Sequence, residues 1–239
     1  MDALLVPAVA ATLFAAVLVQ STFGFGLALT AMSILATFLD LRTAAPVVAL
    51  TGFTASLVLL TRLWRSIDFR AGSRLVLGAA MGMPFGTLAL RVAPEPAVRA
   101  VLGALLIGLG LTSLVTTRLP RLEHRAWVYG FGFVGGVLGG AFTFIGPPVV
   151  IYGAMKRWPP EQFRATLQGY FLPASALVCT SHFVSGLWTR QVLQLYAAGV
   201  LPVLGGIVLG RYIARWMPPG RFDRLLYAAI IVFGAMLVW

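Results

Sequence analysis

The chain has 239 residues, 59% of them hydrophobic and only 10% charged, with one cysteine and a formal net charge of +11. Soluble domains carry roughly 25% charged residues, so a water-soluble enzyme or binding module is excluded, and the lone Cys179 rules out an internal disulfide. The basic excess does not point to nucleic acid: 17 of the 18 basic residues are Arg, clustered between apolar runs, as in cytoplasmic loops that face anionic lipid.

The first charge-free run covers 3–39. As one helix it would be about 55 Å long, well beyond a hydrocarbon core of about 30 Å. Asp2, rather than a basic residue, precedes it, so it reads as a retained segment and not as a cleaved signal. It must fold back near its middle, where Gly24-Phe25-Gly26 interrupts the helical pattern. Runs 43–61, 75–90 and 100–117 follow as single spans, extended to span length by snorkelling Arg at their ends. Run 126–155 is again too long for one span, and it breaks at Thr143 to Pro148. Runs 165–189, 191–210 and 225–239 complete the chain as three more spans. Each long run is either a pair of short spans or a re-entrant pair of half-helices, and in both cases its ends emerge on one side.

That parity fixes a topology. Counted from the N-terminus, 14 basic residues fall on one side and four (Arg42, Arg91, Arg99, Arg190) on the other, which makes the richer side cytoplasmic and puts both termini outside. The expected fold is an all-α polytopic membrane protein of two inverted repeats, 1–117 and 126–239, each a broken helical hairpin plus three transmembrane helices, eight to ten membrane segments in all. Gly82, Gly86, Arg91 and Pro94 recur as Gly206, Gly210, Arg215 and Pro218, always 124 residues later. Gly26 and Gly146 are 120 apart. Transporters of this build bind substrate near the midplane at discontinuous helices.

A break inside a membrane segment survives only where it faces protein or a wet cavity. The helix restarting after Gly26 presents unpaired N–H groups, which with the helix dipole favour an anion. Gln20, Ser21 and Thr22 add donors just before that break. In the second hairpin Pro147 and Pro148 suit the first turn of a new helix, and Thr143 and the N–H of Gly146 are the nearest donors. Two inverted hairpins would bring these tips together as a small, neutral, donor-rich pocket.

Glycines spaced by four, at 78/82/86, 132/136/140 and 206/210, read as close helix packing. No Asp, Glu, Lys or Arg lies deep in any run. His182 reads either as a satisfied packing residue or as a proton-coupling group. Arg164 reads either as an interfacial anchor or as a residue that attracts or gates an anion, with Gln168 and Tyr170 after it in the same run. The six tryptophans sit near run ends, as aromatic belts do.

The chain resembles the sulfite exporter TauE/SafE family in Ser21-Thr22-Phe23-Gly24-Phe25-Gly26-Leu27 and, more specifically, in Gly136-x-x-Gly139-Gly140 followed by Phe144-x-Gly146-Pro147-Pro148-Val149-Val150-x-Tyr152. The likeness continues through Trp158-Pro159-Pro160-Glu161-x-Phe163-Arg164-Ala165-Thr166 and Tyr170-Phe171, and covers essentially the whole chain. It implies a multi-pass inner-membrane protein that moves sulfite, sulfonates or related oxyanions. The candidate substrate-binding set is Gln20, Ser21, Thr22, Gly24, Phe25, Gly26, Thr143, Phe144, Gly146, Pro147, Pro148, Arg164, Gln168 and Tyr170. The expected partners are a small anion and the lipid bilayer, with no cofactor, metal or nucleic acid; a homo-oligomer is left open. The leading expectation is an exporter working by alternating access. A passive anion channel and a non-transporting membrane assembly subunit are the alternatives. A membrane enzyme would need a convergent catalytic set that these runs do not carry.

Overall fold

The computed structural model describes residues 4–115, 122, 124 and 126–214. Run 225–239, Trp216, Trp239 and the arginines at 118, 121, 125, 215, 221 and 224 lie outside them, as do Arg215 and Pro218 of the repeat signal.

Among the described residues every regular element is helical. In chain order these are α1 (Leu5–Phe23), α2 (Leu27–Leu35), α3 (Leu41–Leu63), α4 (Phe69–Val92), α5 (Glu95–Val115), α6 (Trp127–Phe142), α7 (Gly146–Lys156), α8 (Pro160–Val184) and α9 (Arg190–Ala214). One turn of 3-10 helix at Trp64–Ser66 joins α3 to the loop before α4. Within the described residues four helices are long and apolar enough to cross a membrane: Leu5–Phe23, Leu41–Thr61, Phe69–Val92 and Arg190–Ile213. α8 is as long, but Glu161, Arg164 and Gln168 make its first turns polar.

Both long runs break where expected. α1 and α6 end in the same way, with the following residue in the left-handed region. Gly24 (φ 89°) donates its N–H to Gln20 O at 2.7 Å, and Thr143 (φ 60°) donates to Gly139 O at 2.8 Å. This is the simple left-handed cap that ends many helices. The returning helices are short, with nine residues in α2 and 11 in α7. At about 1.5 Å per residue neither reaches the roughly 30 Å of a full span, so the hairpins are not pairs of complete spans. α7 folds back along α6: Phe131 and Tyr152 are 5.7 Å apart, and a Cβ at Gly135 would touch both Ile145 and Val149.

Several boundaries move by five or six residues: α4 starts at Phe69 rather than 75 and α5 at Glu95 rather than 100. α8 starts at Pro160, ahead of the charge-free stretch, and stops at Val184 rather than 189. Proline suits the first helical turn, Glu161 in that turn complements the dipole, and Gly186 (φ 73°) turns the chain toward α9.

Two close seams organise the packing. α4 lies against α6, and α1 against α9. The glycine ridges are these seams: Gly78, Gly82 and Gly86 face the backbone of Tyr129, Phe133 and Val137, while Gly132, Gly136 and Gly140 face Leu75, Ala79 and Met83. Gly206 and Gly210 face the carbonyls of Phe14 and Leu18, a Cβ on either standing 2.8 Å from that oxygen. Residue numbers rise together across both seams, so each pair of helices runs parallel. A threonine crosses each: Thr22 Oγ1 lies 3.2 Å from Gly210 O, and Thr87 Oγ1 lies 3.5 Å from Gly140 O. α3 and α8 pack on each other between the seams, with α9 also on α3 and α4 also on α8. Outward-facing Leu77, Met81, Phe85, Leu88 and Val92 make an exposed apolar stripe on α4, the surface a bilayer requires of a spanning helix.

Element ends recur at a fixed spacing. α1 and α6 end at Phe23 and Phe142, α2 and α7 begin at Leu27 and Gly146, and α3 and α8 begin at Leu41 and Pro160, each pair 119 residues apart.

Candidate functional site

The two breaks line one cavity. Its wall takes Gln20 from α1, Phe25 to Leu29 from the first break and the start of α2, and Thr143, Ile145, Gly146 and Pro147 from the second break. The central helices close it, α3 through Val48, Ala49, Gly52 and Ser56, and α8 through Phe171, Ser175 and Val178. Val48, Gly52 and Ser56 on α3, with Ala49 beside them, and Phe171, Ser175 and Val178 on α8 fall three or four apart, which places each set on one helical face.

The cavity volume is about 50 Å³, several times the roughly 10–15 Å³ one water needs. That is space for a group of a few non-hydrogen atoms. No ionisable side chain lines it; its polar side chains are Gln20, Ser56, Thr143 and Ser175. Ser175 donates its hydroxyl back to Phe171 O, and Thr143 donates to Phe142 O.

The breaks contribute unequally. In α2 the first internal bond is Thr30 N–H to Gly26 O at 2.9 Å. The N–H groups of Leu27, Ala28 and Leu29 therefore have no partner within the helix, and all three residues are in the cavity wall. In α7, Pro147 and Pro148 have no N–H, so its first turn offers Gly146 alone. Gly26, at φ 104°, lets the chain turn into α2 without a Cβ in the way.

Six of the 14 candidate residues line the cavity: Gln20, Phe25, Gly26, Thr143, Gly146 and Pro147. The other eight sit around it. Ser21 lies in the α1–α9 seam against Gly210, and the Thr22 hydroxyl serves Leu18 O and Gly210 O in that seam. Gly24 turns its carbonyl to Gln168, whose Nε2 donates to it at 2.9 Å. Phe144 is wholly buried beside Phe142, and Pro148 is buried at the start of α7. Tyr170 is buried with its hydroxyl near Gly135. Arg164 is exposed, and its aliphatic stem lies 3.4 Å from where a Gly24 Cβ would stand. Gly52, Ser56 and Ser175 are wall residues that the sequence reading did not single out. Ser56 and Ser175 share the 119-residue spacing of the element ends, which is the one signal that could have pointed to them.

His182 is completely buried away from this wall, with Nε2 2.9 Å from Gly140 O. Ser181 donates to Thr87 Oγ1 beside it at 2.8 Å. No group of His, Cys, Asp and Glu among the described residues is placed to hold a metal ion.

Comparison with known proteins agrees with the chain's motifs. The family model described as "Sulfite exporter TauE/SafE" matches residues 8–237. A curated relative from Cupriavidus necator, described as "Probable sulfite/organosulfonate exporter TauE", is 26% identical over 225 residues, covering 92% of this chain and 88% of its own. No solved structure matches the chain.

Proposed function

The chain belongs to the sulfite exporter TauE/SafE family of membrane transporters, and we propose that it carries small oxyanions of the sulfite or sulfonate class through the cavity between its two helix breaks. The observation that carries this reading is that both breaks, 120 residues apart in sequence, line one small neutral cavity. Three unpaired N–H groups at the start of α2 and the positive end of its dipole suit an anion there without a fixed buried cation. A three-oxygen anion has few enough atoms for the space and enough lone pairs to accept from Leu27, Ala28, Leu29, Gly146 and the Gln20 amide. The apolar side of the wall, Phe171 and Pro147, suits the carbon stem of a sulfonate.

The two halves, 1–117 and 126–239, act in this reading as inverted repeats that rock about the site. The support is the 119-residue recurrence of element ends, the matched seams, and their parallel direction, which agrees with the topology counted from charge. The same count puts both termini outside the inner membrane.

The test is flux in proteoliposomes with a panel of sulfite, sulfate, sulfonates and carboxylates, with and without a pH gradient. Saturable, selective flux of a sulfur oxyanion is expected; flux linear in concentration would make it a passive channel. Gly146→Ala should retain most transport, because its Cβ would stand an ordinary 3.4 Å from Phe171. Gly146→Leu should abolish transport while leaving membrane insertion intact, because the longer side chain fills the cavity. Unchanged flux in Gly146→Leu would sink the proposal.

A further inference from the structure

α1 and α6 both stop inside the protein, so the carbonyls around their ends need donors from elsewhere. The left-handed caps satisfy Gln20 O and Gly139 O, and Phe144 N–H serves Leu138 O at 3.1 Å. Gly24 O and Gly140 O are met from outside the hairpins, and from the same helix. Gln168 Nε2 donates to Gly24 O at 2.9 Å, and His182 Nε2 lies 2.9 Å from Gly140 O, which as a carbonyl can only accept. Thr87 Oγ1 makes a longer approach to Gly140 O, at 3.5 Å.

Gln168 and His182 are almost completely buried, at 1% and 0% exposure. Each is held by one bond only: Gln168 Oε1 and His182 Nδ1 are buried with no partner. A side chain serving packing alone would be apolar at such a site, because an unpaired buried polar atom costs roughly 1–3 kcal/mol. Three such costs fall on α8, at Gln168, Tyr170 and His182, and at Gln168 and His182 the same side chain also aims a donor at a carbonyl beside a break. These two stand 14 residues apart on α8, about 21 Å along its axis.

We propose that α8 positions both helix breaks, Gln168 through Gly24 and His182 through Gly140. Gln168 is then a positioning residue and does not touch substrate. A tilt or rotation of α8 would move both breaks in concert, coupling the two sides of the cavity. The inference rests on the reading that the cavity is the anion site only for its consequence for transport; the positioning itself stands on geometry.

The test uses the full chain in lipid nanodiscs and proteoliposomes, with backbone hydrogen exchange as the first readout. Gln168→Met, close in shape and lacking the donor, should raise exchange over residues 24–30 roughly tenfold, the loss expected for one buried hydrogen bond, with residues 140–146 unchanged. His182→Leu should do the reverse. His182→Gln, whose amide N–H can replace Nε2, should restore protection at 140–146. If Gln168→Met does not fold, Gln168→Leu, which also lacks the donor, should show the same local change. In proteoliposomes Gln168→Met should raise KM for the transported oxyanion about tenfold with a smaller change in turnover. Unchanged exchange at both breaks in folded variants, or a rise spread evenly over all helices, would overturn the inference. Wild-type protein with no anion flux would overturn the proposed function and leave the exchange result to decide this one.

Discussion

Thr143 holds φ at 60° with a β-branched side chain, a conformation that costs of order 1–3 kcal/mol and persists only when its surroundings impose it. Gly24 makes the equivalent turn in the first hairpin without that cost. Replacing Thr143 by glycine should therefore stabilise the folded protein by about 1 kcal/mol, seen as a higher unfolding temperature in detergent; a lower one would show that the hydroxyl bond to Phe142 O outweighs the strain. The sequence made the glycine turn readable, because glycine enters the left-handed region freely. It could not reveal the threonine turn, because threonine normally avoids that region and yields here to the packing of α6, α7 and α8. Ser21 and Thr22 teach the same limit from the other side. Both are near the break in sequence, but the helix packs Ser21 Cβ and the Thr22 hydroxyl against the Gly210 backbone of α9.

Helix-to-helix approach is where sequence periodicity carried most. Glycine every fourth residue requires a close neighbour, and the two seams supply it. At Gly86 an added Cβ would run into the Val137 carbonyl, a backbone atom that cannot rotate away. Gly86→Ala and Gly206→Ala should each destabilise by about 1–3 kcal/mol, whereas Gly130→Ala, whose Cβ meets nothing within 4 Å, should be neutral; thermal melts of the three variants in one detergent decide it. Equal melts would mean that the seams tolerate separation. The identity of the partners was beyond the sequence, since a small-residue ridge states how near the neighbour comes and not which helix it is. For the same reason the walls from α3 and α8 were hidden: Gly52, Ser56 and Ser175 are ordinary small residues until a cavity lies against them.

At the scale of the whole molecule, both close seams join the first half of the chain to the second. Segments 1–121 and 122–239 expressed separately should each fail to accumulate as folded protein, and expressed together they should co-purify and transport. A stable first half alone would contradict the dependence of α1 on α9 and of α4 on α6. The sequence made the two helix breaks legible through run lengths, because a membrane limits how long a helix can be. It could not show that α1 packs on α9 and α4 on α6. That interlocking also sets an order in time. α6 follows α4 by 35 residues, while α9 begins 167 residues after α1 ends. At roughly 5–20 residues per second of synthesis, α4 finds its partner within about 2–7 seconds, but α1 waits on the order of 10–30 seconds in lipid with its α9-facing side bare. Through that interval α1 has α2 and α3 beside it, but not the helix on which it packs most closely.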